Sequence, residues 1–288
     1  MGVVRARWIL LIAVLAGGCA FEKSLDDTGG DDQPADTDGD GKLDSEDNCV
    51  DVANADQRNH DMDARGDLCD LCPHIADDGG DSDNDQIGDA CDPRAGIDTL
   101  IAFDGFYDDS TAITSWTKSG GTWSISGGAL RQTGTNTWAF FGPPQPIARV
   151  YADYAFTPLS VGPAFTVQTQ QGTATIQPSI GNFAGIVQQQ RNYGCAISKD
   201  PSNRVTAWAS VNGSTANSPK TWGGDLTMGQ RYRVVENMTT QNRCDFTQGT
   251  TITDNDSENL GATDGTFVFS VAASTVEIDY IFLVSIGT

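Results

Sequence analysis

Three stretches of the chain place side-chain oxygens in one repeated register. In "DTDGDGKLDSED", Asp36, Asp38 and Asp40 fall on alternate residues, Gly41 follows, and Asp44 and Asp47 come at wider spacing. "NHDMDARGDLCD" sets Asn59, Asp61, Asp63, Asp67 and Asp70 at the same offsets, and "DSDNDQIGDACD" repeats them with Asp81, Asp83, Asp85, Asp89 and Asp92. Two carboxylates ~5 Å apart cost each other roughly 1 kcal/mol even in water. A single acidic run is usually a solvated face, but one register kept three times points to a shared cation. In a twelve-residue loop of this kind, places 1, 3, 5, 9 and 12 offer side chains and place 7 offers a backbone carbonyl, here that of Lys42, Arg65 or Ile87. Calcium (Ca2+) is hard and large and takes six to eight such oxygens. Magnesium demands a stricter octahedron, and zinc prefers nitrogen or sulfur. Place 6, where the chain turns sharply, holds Gly41 in the first loop but Ala64 and Gln86 in the others, so those two are expected to be more strained.

The flanks of these loops are not helical. "TGGDDQPA" before the first and "NCVDVANADQ" after it lack any helical apolar period, which excludes a helix–loop–helix calcium hand. The segment resembles the thrombospondin type 3 repeat. The residues that carry the likeness are "DTDGDGKLDSEDNC", "NADQ" at 54–57, "GDLCDLCP" at 66–73 and "IGDACD" at 87–92. The resemblance spans about residues 36–93. It departs at Ala64 and Gln86, at Val50 after "DNC", and in the missing second "NxxQ" element. It implies little regular secondary structure, a chain wrapped around its ions, and disulfides Cys49–Cys69 and Cys72–Cys91. Four cysteines alone allow three pairings. With so few apolar residues in this segment, ions and disulfides are expected to stand in for a core. His60 and His74 are expected to be simply exposed.

Charge and cysteine usage place these loops in an exported chain. The 288 residues carry a formal net charge of −22. Residues 26–98 hold 24 acids against 4 bases, whereas residues 99–288 hold 14 against 10. No basic patch exists, which argues against a nucleic-acid partner. "MGVVRARWILLIAVLAGGC" reads as an export signal, with Arg5 and Arg7 ahead of an apolar run too short to span a bilayer. "LAGGC" resembles a bacterial lipobox, which implies lipid attachment at Cys19 and a membrane partner through that anchor, with the protein held at the cell envelope, outer membrane or cell surface. Removing Cys19 from the seven cysteines leaves six, an even number suited to an oxidising compartment. The organisation expected is a signal peptide over 1–18, an anchor and flexible linker over 19–35, calcium repeats over 36–97, and a second domain over 98–288.

That second domain is read as mainly β. Runs such as "TLIAF", "GTWSIS", "TWAFFG", "ARVYADYAFT", "AFTVQTQ", "RVTAWASV", "RYRVVENM", "RCDFTQ", "TFVFSVA" and "VEIDYIFLVSI" are broken by turn residues, and no amphipathic helix of ordinary length is visible. A dozen strands predict an antiparallel two-sheet sandwich. "IAFDGFYDD", "GTWSISGGALRQT", "MGQRYRVV" and "VEIDYIFLV" resemble the concanavalin A-like lectin/glucanase superfamily, a jelly roll. Cys195 and Cys244 each lie in a strand-like run, and a cross-strand disulfide is expected. No histidine follows His74, so no Ser-His-Asp unit can be built within this domain. "EID" at 277–279 matches the start of the E-x-D-x-x-E motif of related glycosidases, but Phe282 replaces its second glutamate. The expectation is a binding or adhesion protein rather than an enzyme, with the calcium repeats as a rigid stalk that presents the lectin-like domain. Its partner would be a glycan or a cell-surface protein, met by Trp208 with Gln190 and Asn192. The alternatives are a glycan-active hydrolase and a structural envelope protein without sugar specificity.

Overall fold

A computed structural model describes residues 34–96, 98–134, 139–142, 146–147, 149–172, 193–199, 205–211, 214–215, 220–221, 227–256 and 265–287. Cys19 and most of the linker lie outside these residues. From 34 to 96 the chain forms only turns and bends, stapled by Cys49–Cys69 and Cys72–Cys91.

The rest is antiparallel β-structure, as the alternating runs predict. The first six strands are β1 (Thr99–Asp104), β2 (Thr117–Ser119), β3 (Trp123–Ile125), β4 (Leu130–Gln132), β5 (Ala139–Gly142) and β6 (Pro146–Ile147). They are followed by β7 (Val150–Gly172), β8 (Tyr193–Lys199), β9 (Val205–Val211), β10 (Ser214–Thr215), β11 (Lys220–Thr221), β12 (Tyr232–Asn237), β13 (Asn242–Gln248), β14 (Thr250–Asp256) and β15 (Gly265–Ser285). The one helix among the described residues, α1 (Ala112–Ser115), is a single turn.

Two strands do the work of four. "ARVYADYAFT" and "AFTVQTQ" merge into the 23-residue β7, and "TFVFSVA" and "VEIDYIFLVSI" merge into the 21-residue β15. The two pair along most of their length, with register shifts at Ala272/Ser274, Thr275/Val276 and Ile278/Tyr280. Bulges of this kind bend and twist a strand, so one strand can serve two layers. The first part of β7 pairs with β12, and its later part with β8. The β12–β13–β14 layer packs against β8–β9. Cys195 on β8 and Cys244 on β13 are bridged. These strands share no ladder, so the bridge joins layer to layer rather than strand to neighbouring strand.

That bridge fixes which side is inside. Cys244 lies opposite Glu236, and Phe246 lies opposite Val234. By the two-residue period of a strand, Tyr232, Val234 and Glu236 therefore face the core, with Tyr154 and Phe156 of β7 opposite them. The Phe156 and Tyr232 rings stack with centroids 5.5 Å apart. Asp153, Arg233 and Val235 take the other face, as do Phe282 and Phe103 in register beside Asp153. Asp153 and Phe282 are nevertheless fully buried. What covers them is the repeat segment.

The segment does not stand apart from the sandwich. His74 lies on the Phe282 ring at 4.4 Å between centroids, and its Nε2 sits 3.2 Å from Asp153 Oδ2. His60 meets the Tyr280 and Phe103 rings edge-on at 5.1 and 5.9 Å. Two expectations are corrected here. His74 is buried and His60 half-buried, because each fills the dock against an aromatic sheet face. The repeats also have apolar packing of their own: Cys72, Ile87 and Cys91 belong to the same hydrophobic cluster as the sandwich core, and Ile75 packs against it.

Candidate metal centres

Each acidic loop gathers carboxylates at one point. One oxygen from each of Asp36, Asp38 and Asp40 lies within 4.8 Å of the others; Asp61, Asp63 and Asp70 do the same, and so do Asp81, Asp83 and Asp85. Backbone N–H groups hold these acids in a pattern that recurs from loop to loop. At place 1, Asp36, Asn59 and Asp81 accept from the N–H at place 4, donated by Gly39, Met62 and Asn84. Those three donors all have positive φ, +78°, +66° and +64°. At place 5, Asp40, Asp63 and Asp85 each accept from the N–H two residues on, at 2.7, 2.6 and 2.9 Å. The other oxygen of each reaches forward to the N–H of Asn54, Asp77 or Asp98. At place 12, Asp47, Asp70 and Asp92 accept from Cys49, Cys72 and Arg94 N–H.

Place 6 differs among the loops as the sequence warned. Gly41 and Gln86 both adopt positive φ and donate to the place-1 carboxylate. Ala64 is not among the residues with positive φ, and Asn59 Nδ2 instead donates to the Asp63 carbonyl. In the loops the left-handed geometry thus falls on three non-glycine residues, Met62, Asn84 and Gln86.

The place-9 acids are held by donors of their own. Asp44, Asp67 and Asp89 lie outside the three clusters. Each accepts from the N–H at place 2 with one oxygen and from a hydroxyl with the other. They brace the loop ends together. Two residues beyond the twelve-residue frame bring further charge to loops 2 and 3. Asp77 and Asp98 place like charge against Asp70 and Asp92 respectively. Their Oδ2 atoms are buried without a hydrogen bond, as are Asp38 Oδ2, Asp61 Oδ2, Asp70 Oδ2 and Asp83 Oδ1. The signal for them was present in the constant forward step of 13–14 residues from place 5.

A buried carboxylate oxygen with no donor is costly unless a cation meets it. Burial, and after it the facing charges of Asp63, Asp61 and Asp77, pushes Asp70 up to about 6 despite the Cys72 N–H. Burial with Asp85, Asp83 and Asp98 does the same to Asp92. All the donor atoms offered are oxygens, so the residues present fit a hard cation such as calcium and not zinc. The backbone carbonyls of Lys42, Arg65 and Ile87 stand at the place where such loops add a seventh ligand; the Ile87 side chain is itself fully buried.

The sandwich offers no comparable site among the described residues. Glu277 pairs with Arg131 at 2.7 Å, and Asp279 with Arg231 at 2.5 Å, so the two acids of "EID" are each held by an arginine. Phe282 lies under His74. Asp153 is held by Arg233, His74 and the Tyr280 hydroxyl, the last at 2.8 Å. Burial alone would raise Asp153, but the Arg233 and His74 hydrogen bonds outweigh it and hold the group at about 2. Gln190 and Asn192 lie outside the described residues, as does the Trp208 side chain. The backbone of Trp208 pairs with Ala196 in the β8–β9 ladder.

No protein-family model and no curated protein matches the sequence. Solved structures with similar outlines include the Emp46p carbohydrate recognition domain in a potassium-bound form, 10% identical, covering 64% of this chain and 95% of that one at a TM-score of 0.46. A laminarinase from Flavobacterium sp. UMI-01 is 14% identical, covering 64% and 99% at 0.45. The carbohydrate binding module CBM66 from Bacillus subtilis is 13% identical, covering 58% and 92% at 0.39. An enzyme and two carbohydrate-binding proteins stand side by side in that set.

Proposed function

We propose that this chain is an exported, lipid-anchored calcium-binding protein whose ion-loaded repeats hold a lectin-like sandwich at the cell envelope for recognition of a glycan or a surface partner. One observation carries the calcium reading. Three loops repeat a single scaffold of backbone donors that leaves buried carboxylate oxygens without partners. Calcium would be held by Asp36, Asp38, Asp40 and Asp47 in loop 1, by Asp61, Asp63, Asp70 and Asp77 in loop 2, and by Asp81, Asp83, Asp85, Asp92 and Asp98 in loop 3. Bound there, it supplies positive charge that neutralises the carboxylates and replaces the missing hydrogen bonds. The chain's own part is to aim the oxygens with its N–H groups and to lock the loop ends with the place-9 acids.

Binding rather than hydrolysis is favoured because Glu277 and Asp279 are tied up in ion pairs and Phe282 is covered. The anchor rests on Cys19 and the lipobox likeness. The test is direct: the full mature chain, stripped of metal, is titrated with calcium and then applied to a glycan panel. Uptake of at least three ions per chain is expected. No uptake at millimolar calcium overturns the metal reading, and release of shortened glycan overturns the binding reading. Cys19→Ser is expected to free the protein from membranes.

A further inference from the structure

The three loops brace their place-9 acid alike, with one exception. In loop 1 the Thr37 N–H and hydroxyl donate to Asp44 at 2.7 and 2.8 Å. In loop 3 the Ser82 N–H and hydroxyl donate to Asp89 at 2.8 and 2.7 Å. Loop 2 carries His60 at place 2. Its N–H donates to Asp67 Oδ1 at 2.7 Å, but it has no hydroxyl to offer Oδ2. That second bond comes from the sandwich: the Tyr107 hydroxyl, 40 residues away, donates to Asp67 Oδ2 at 2.7 Å. The His60 ring, freed from bracing, lies against Phe103 and Tyr280. Loop 2 has thus exchanged a hydroxyl of its own for one that exists only when the repeats are docked.

We propose that Tyr107 is a positioning residue for the second loop, and that ion binding in loop 2 and docking of the repeats onto the sandwich form one linked equilibrium. This rests on the calcium reading above. A carboxylate held by two donors is fixed in rotation, and one held by a single N–H is not. Undocked, loop 2 loses half of its brace, and its ends are no longer locked at the spacing the cluster needs. Linkage is reciprocal, so whatever docking adds to the loop's affinity, the ion adds to docking. Loops 1 and 3 carry their own hydroxyls and act as internal references. The Tyr107 ring is held independently of its hydroxyl by the Arg58 guanidinium, 4.4 Å from the ring centre, which also pairs with Asp109 at 2.6 Å. Tyr107→Phe therefore removes one donor and leaves the ring in place.

The experiment uses the full mature chain with calcium as the probe. Calorimetric titration and calcium-dependent melting are compared for the natural protein, Tyr107→Phe, and Tyr107→Phe with His60→Thr. A hydrogen bond to a charged group is strong enough that Tyr107→Phe is expected to weaken one ion site about tenfold. The other sites stay unchanged, and the rise in Tm on adding calcium shrinks. Adding His60→Thr returns a hydroxyl inside the loop. The weak site then recovers its affinity, while the calcium-linked rise in Tm does not, because the His60 ring contacts are gone. Native affinity at every site in Tyr107→Phe overturns the proposal, as does equal weakening of all sites or failure of His60→Thr to restore the weak one. A natural protein that takes up no calcium fails at the earlier step and removes the metal reading itself.

Discussion

The acidic repeats and the sandwich are built by opposite means. In residues 34–96 backbone N–H groups point at side-chain carboxylates, and almost every bond closes within 14 residues. In the sandwich the N–H groups pair with other strands, and its longest ladder joins β7 to β15, 94 to 135 residues away. The first kind of structure gathers carboxylates at points along the chain; the second packs most of its hydrocarbon between strands. The dock is where the two are forced to agree, since His74 from one lies on Phe282 and beside Asp153 from the other.

Removing the cation is the strongest way to break that contrast. Each site saturated a hundredfold over its Kd adds about 2.7 kcal/mol to the folded state. Chelation is therefore expected to expand residues 34–96, with a larger hydrodynamic radius and faster proteolysis, while the β circular-dichroism signal persists. An unchanged radius would make the repeats self-supporting and erase the difference between the two regions.

Asp153→Ala attacks the dock from the sandwich side. It leaves the Arg233 guanidinium facing His74 and Tyr280 with no carboxylate between them; Arg233 is 36% exposed, so the loss is expected to fall below the roughly 3–5 kcal/mol of a fully buried pair. Urea unfolding of the calcium-loaded chain measures it; a loss below 1 kcal/mol would mean that the buried network adds little. Acid gives a graded version. Asp153 is held at about 2, below its ordinary value of 3.8. Its contribution is therefore complete above about pH 4 and disappears as pH falls toward 2, and Asp153→Asn should flatten that limb of the stability profile.

The smallest effect sharpens the comparison of loop with loop. Met62 and Gln86 hold φ of +66° and +74° with exposed side chains. Left-handed geometry costs a non-glycine residue about 1–2 kcal/mol, partly offset in glycine by greater chain entropy. Met62→Gly and Gln86→Gly should each stabilise the loaded chain by up to about 1 kcal/mol. Gly39→Ala, at the equivalent of Met62, should do the reverse.

The legibility of the sequence follows the same divide. The clusters of loops 1 and 3 were readable because places 1, 3 and 5 act within one turn of chain; in loop 2 the third carboxylate is Asp70, at place 12. The bracing of Asp44, Asp67 and Asp89 was not legible, because a ligand and a brace are the same residue type at the same spacing. Asp77 and Asp98 fell outside a twelve-residue frame. The hydroxyl at Thr37 and Ser82 and its absence at His60 were visible, but their meaning lay in Tyr107. The sandwich class was readable from alternation. The fusion of four runs into β7 and β15 was not, because a bulge has no fixed sequence signature. The burial of His60 and His74 could not be seen either, since their partners come from Phe103, Asp153, Tyr280 and Phe282, far along the chain.

The layer-to-layer bridge between Cys195 and Cys244 has a consequence for a cut chain. A protease that nicks the backbone anywhere in the intervening stretch severs one covalent path and leaves another. The two fragments stay attached, run as one species until a reductant is added, and keep the β8 and β13 faces opposed.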